Sequence, residues 1–123
     1  MSILLRDYVY DAIRDVSIAA DVVAGTVGVV NDSYGFWPYA VDVSVDRTSI
    51  FVTWAKQALA TKKTGTGQAI NEGDFVYGDP ADSYAVSATK GAGYLYLGKA
   101  IQAASASDTT VLIEFDGLKT TLY

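Results

Sequence analysis

The chain has 123 residues, no cysteine, no histidine and a net charge of −5. That length fits one domain able to bury a core of its own. The missing residue types exclude disulfides, thiolate metal sites and any catalysis built on Ser-His-Asp or Cys-His. The acidic balance sets the chain against phosphate backbones, and Lys62-Lys63 is its only basic doublet, so nucleic acid is not an expected partner.

Ile3-Leu4-Leu5 opens an apolar run that Arg6 and Asp7 stop at once, unlike a secretory leader. No window approaches the ~20 apolar residues that span a bilayer. The expectation is a soluble chain with no membrane partner. Residues 1–15 read as an N-terminal arm and residues 16–123 as one β-barrel-like domain. Within 8–20, Val9, Ala12, Ile13, Val16 and Ala20 fit a helical stripe, while Tyr8, Tyr10 and the β-branched residues fit a strand equally well. An extended segment from Val16 is preferred.

Gly25 and Gly28 interrupt the apolar β-branched run 22–30, which favours strand–turn–strand over helix. Residues 31–35 read as a turn or loop, followed by the aromatic cluster Phe36-Trp37-Pro38-Tyr39. Residues 40–46 give the clearest strand pattern, with Val41, Val43 and Val45 on one face and Asp42, Ser44 and Asp46 on the other. In 50–55 both faces are apolar. Ile50, Val52 and Trp54 share one and Phe51 and Ala55 the other, so this strand is expected to be buried on both sides.

Residues 56–63 have helical propensity over a short span, and Thr64-Gly65-Thr66-Gly67 reads as a flexible loop. Strands at 75–77 and 84–88 flank the turn signal 78–82 and should pair as a hairpin. Gly91-Ala92-Gly93 turns the chain again, 94–97 alternates Tyr and Leu, and 111–116 closes the domain with Val111, Ile113 and Phe115 inward. Short strands with a turn signal about every ten residues predict an all-β, barrel- or sandwich-like domain.

The candidates for chemistry are weak. Asp42 and Asp46, four apart on one predicted strand face, stand ~13 Å apart, farther than the at most ~9.5 Å of glycosidase carboxylates. Asp79, Asp82 and Ser83 flank a proline turn and read as Asx-turn residues, with too few oxygens for a calcium loop. The two glycine pairs at 65–67 and 91–93 lack the spacing and the Lys-Ser/Thr step of a phosphate loop. Trp37, Tyr39, Trp54, Tyr94 and Tyr96 could stack on a sugar or base, but base stacking normally comes with a positive groove. No catalytic residue, metal or cofactor is expected.

A stretch of the second half carries a resemblance. Asn71-Glu72-Gly73-Asp74-Phe75-Val76-Tyr77-Gly78-Asp79-Pro80 holds a Gly-Asp-x-Val-Tyr step before a turn. Tyr84-Ala85-Val86-Ser87-Ala88-Thr89, Leu97-Gly98-Lys99-Ala100-Ile101-Gln102-Ala103-Ala104 and Ser107-Asp108-Thr109-Thr110-Val111-Leu112-Ile113-Glu114-Phe115 follow in order. Over residues 64–117 this resembles a family of small phage proteins that decorate, or cement, capsids. Residues 22–29 occupy the place of that family's first sheet segment, without the Gly-Asp pair frequent there. Physically, Gly73 permits a tight turn that Asp74 can cap, and Gly98 lets a strand bend.

The resemblance implies a small β-barrel-like protein on the outer surface of a tailed-phage virion. Its partners would be the major capsid protein and further copies of itself, with a trimer expected. It would bridge neighbouring capsid proteins, and many weak contacts would add through multivalency. The expected protein-interface residues are Ile3, Leu4, Leu5, Tyr8, Phe36, Trp37, Tyr39 and Trp54. Two other readings are another virion subunit (tail tube, head completion or fibre base) and a carbohydrate-binding module using Trp37, Tyr39 or Trp54. A hydrolase built on carboxylates would need two acids brought together from distant strands.

Overall fold

The computed structural model describes residues 3–7, 9–30 and 33–117. Among them the chain is all-β, with one short 3-10 turn and no α-helix. The strands are β1 (Ile3–Leu5), β2 (Tyr10–Ser17), β3 (Val27–Val30), β4 (Ser33–Phe36), β5 (Thr48–Thr61), β6 (Phe75–Asp79), β7 (Ala85–Ser87), β8 (Leu95–Ala100) and β9 (Thr110–Asp116). Their pairing is antiparallel throughout, in the order β3-β4-β5-β9-β8-β6-β7.

The axis of the fold is β5. β1 and β2 run along one of its edges, from Ile3 opposite Ala60 to Ser17 opposite Thr48. The bonds Arg6 N–H to Gln57 O and Lys56 N–H to Val9 O bridge the gap between β1 and β2. The other edge of β5 takes β9 and, at Val52, the end of β4. The sheet curls into a half-barrel until β7 meets the end of β5. There Lys63 N–H donates to Val86 O at 3.0 Å beside a parallel bridge between Lys62 and Val86.

Two bulges explain how so long a strand follows that curve. β2 pairs Asp11 with Trp54 but Ala12 with Val52, leaving Thr53 as an extra residue on β5. A second shift against β9 falls between Ala55 and Ala58. Each extra residue bends the strand and reverses which residues face inward. Val52, Ala55, Ala58 and Ala60 therefore all reach one core, with Phe36, Val76, Val86, Leu97, Val111, Ile113 and Phe115. Phe36 and Phe115 meet edge to face at 5.0 Å. The expected facing is corrected accordingly: Val52 shares the core with Ala55, and Trp54 points away from it, its indole on Glu114.

The all-β class and the 75–79/85–87 hairpin are as the sequence predicts, and Val111, Ile113 and Phe115 are buried. The double burial of β5 is also found, with Phe51 and Val52 both fully buried.

Four expectations are overturned. Residues 40–46 form a turn, not a strand, and Val45 is 84% exposed. Asp42 accepts hydrogen bonds from the Ser44 hydroxyl and N–H, its carbonyl takes Val45 N–H and Asp46 N–H, and Asp21 takes Val43 N–H. Such local bonds outcompete a ladder. Only Val41 keeps a bridge, to Val22. The helical stretch 56–63 instead continues β5 to Thr61, because ladders on both edges outweigh propensity. Ser33, Tyr34 and Gly35 belong to β4, while Asn31 and Asp32 lie outside the described residues. Gly78 and Asp79 finish β6, so the turn narrows to Pro80–Asp82.

Candidate protein-binding surface

At the end of the sheet where β1 runs past the 36–39 turn, backbone bonds join segments distant in sequence. Ile3 N–H donates to Gly25 O, and Gly25 N–H to Trp37 O at 2.7 Å. This brings Leu4, Leu5 and Tyr10 beside Pro38 and Tyr39, and together they wall a groove of about 360 Å³ with Arg6 and Asp7 at its rim. Tyr39 is 57% exposed. It is also a wall of an adjoining groove of about 380 Å³ that includes Val41, Val45 and Asp46. Apolar bodies with polar tips and one charge of each sign suit a surface that meets another protein.

The expected interface residues divide. Leu4, Leu5 and Tyr39 gather in this groove. Ile3 and Phe36 are fully buried in the chain's own core. Trp37 packs on Phe51, centroids 4.6 Å apart. Trp54 is half-buried, its Nε1 donating to Glu114 Oε2 at 3.0 Å. Tyr8 lies outside the described residues. The sequence reading missed Tyr10 and Pro38, whose place depends on the Ile3–Gly25–Trp37 connection. It also missed a cross-strand strip in which Tyr96 meets Phe75 at 5.9 Å and Tyr77 at 6.1 Å, with Phe75 58% exposed. Phe75 and Tyr77 at i, i+2 on one strand were the available signal.

The charged groups with shifted titration serve the fold. Lys63 Nζ lies 2.8 Å from Asp79 Oδ2 and 3.5 Å from Asp82, and stands 5.6 Å over the Tyr94 ring. The hydrogen bond from Lys63 holds the Asp79 carboxyl below the usual carboxylate range, and the same bond raises the Lys63 ammonium above its ordinary value. Asp79 also caps the 3-10 turn by accepting from Ala81 N–H, the Asx role expected of it. Lys62 is buried, and burial pushes its pKa down. Its ammonium donates to the carbonyls of Lys63 (2.8 Å), Asp108 (3.4 Å) and Ala106 (3.5 Å), fastening two loops at the seam of the sheet. Among the described residues no three His, Cys, Asp or Glu side chains gather as a metal site would require.

No family model, curated protein or solved structure matches the chain.

Proposed function

We propose that this chain is a non-enzymatic structural protein that binds the outer surface of a tailed-phage capsid and cements neighbouring major capsid proteins, acting as a homo-oligomer. The observation that carries this reading is the groove of Leu4, Leu5, Tyr10, Pro38 and Tyr39, an open apolar surface on an otherwise acidic chain. The ordered resemblance over residues 64–117 supplies the class of partner. Each groove contact is small, and repetition over a symmetric shell would make the sum strong.

Co-sedimentation with expanded capsids stripped of the protein, with unexpanded procapsids as control, tests the reading. Saturable binding to expanded shells at a fixed copy number is expected. Tyr39→Ser should weaken it by about tenfold or more, as loss of an interface aromatic does, while leaving the thermal midpoint in place. Absence of binding to either shell would remove the capsid reading and shift the assignment to a tail-tube, head-completion or fibre-base subunit.

A further inference from the structure

The two halves of the sheet follow one backbone plan. Val22 and Val41 exchange a pair of backbone bonds, Gly25 N–H donates to Trp37 O, Trp37 N–H to Thr26 O and Thr26 N–H to Val23 O. Each of these recurs in the second half. Ile70 and Ala104 exchange a pair, Gly73 N–H donates to Ala100 O, Ala100 N–H to Asp74 O and Asp74 N–H to Asn71 O. Residues 22–26 thus return as 70–74, 48 places on, and residues 37–41 as 100–104, 63 places on. The ladder between them follows suit. Val27 opposite Phe36 and Gly28 opposite Gly35 become Phe75 opposite Lys99 and Val76 opposite Gly98. Two glycines return in place. Gly25 and Gly73 turn at φ 86° and 89°, and a Cβ on Gly35 or Gly98 would run into the backbone of the next strand.

β3, β4 and β5 therefore correspond to β6, β8 and β9, and β7 has no counterpart. Residues 31–32 alone part β3 from β4, whereas residues 80–94 part β6 from β8. This insert is tied to the body at few points. β7 pairs with β6 over three residues, and toward β5 it has the bridge at Val86 and the bond from Lys63 N–H. Lys63 Nζ reaches Asp82 and the Tyr94 ring, and Ser87 Oγ donates to Gln68 Oε1 at 2.9 Å. Ser83 and Tyr84 hold φ 51° and 61°, left-handed values that non-glycine residues keep only where their surroundings enforce them.

We infer that residues 80–94 are a clasp inserted into a duplicated body, and that the clasp opens as a unit while the ladders of the body stay closed. The body's repeated bonds lie outside the insert, so opening breaks none of them. It breaks only the short ladder to β6 and the ties to β5 and Gln68, and it releases the two left-handed residues. Val86, fully buried when the clasp is shut, leaves the core, and β6 loses its partner on one side. The clasp thus hides an apolar side chain and a row of backbone groups that it can present without unfolding the protein, as segments of low local stability do. The inference rests on the backbone plan and does not need the capsid reading.

Amide exchange of the full chain, followed residue by residue in rising urea, tests it. Lys63 N–H, bonded to Val86 O, and Tyr84 N–H, bonded to Asp79 O, report on the clasp; Ile70 and Ala100 N–H report on the body. Lys63 and Tyr84 should exchange through one common opening, about tenfold or more faster than Ile70 and Ala100 and with a shallower dependence on urea. Phe36→Leu thins the body's core where Phe36 packs on Phe115. It should speed Ile70 and Ala100 by about tenfold and leave Lys63 and Tyr84 unchanged. Exchange of Lys63 and Tyr84 at the body's rate would overturn the inference. So would separate openings for the two, or a clasp that speeds up together with the body in Phe36→Leu.

Discussion

Lys63 and Asp79 fasten the end of β5 to the turn after β6, and the direction of each shift fixes when that fastening counts. The Asp79 carboxyl titrates below its ordinary 3.8, so its contribution is present above that value and is lost as pH falls through the lowered one. Lys63 titrates above its ordinary 10.5, so its contribution is complete below 10.5 and is lost only in stronger alkali. The pair therefore stabilises the fold across the whole range between 3.8 and 10.5. Thermal unfolding followed into acid should show the wild-type midpoint falling more steeply than that of Asp79→Asn. Parallel curves would show that the pair does not support the fold. The sequence disclosed the capping role of Asp79 through Asp-Pro, but its ion pair joins residues sixteen apart across the seam and left no local mark.

At the scale of elements, β8 and β9 show what a single backbone position decides. Gly98 has φ 144° where β8 bends, and a Cβ there would run into the Glu114 carbonyl of β9. Gly98→Ala should lower stability by about 3 kcal/mol through strain and overpacking, read as a shift of the urea midpoint. A loss of a few tenths would show that the ladder accommodates the methyl group. This bend was legible, because glycine inside an otherwise regular strand has few other uses.

The length of β5 was not legible: Lys56, Gln57 and the alanines that follow are good helix formers. Their state is set by β1 and β9, whose residues lie far away in sequence. Residues 40–46 failed for the opposite reason. Their alternation was real, but Asp21 and Asp42 offered the backbone closer partners than any strand did. Val111, Ile113 and Phe115 were readable because β9 has one buried face and no bulge to reverse it.

At the scale of the whole molecule, the groove was half legible. Leu4, Leu5 and Tyr39 stood out as apolar residues in segments with no strong core pattern, whereas their meeting depends on Gly25 joining β1 to the 36–39 turn. Both ends of the described chain converge on β5. β1 and β2 hold one edge and β9 the other, and all three run antiparallel to it. β1 starts opposite Ala60 and β9 ends opposite Trp54, so tension drawn through the start of β1 and the end of β9 slides the two outer strands along β5 in opposite senses. The hydrogen bonds of each ladder then share the load at once and do not open in turn like a zipper. Pulled by its ends in a single-molecule experiment, the domain should rupture at higher force than when pulled across the β6–β7 hairpin. Equal forces would mean that the load leaves β5 by another route. A domain that resists stretching along its own axis can transmit strain between whatever it joins before it yields.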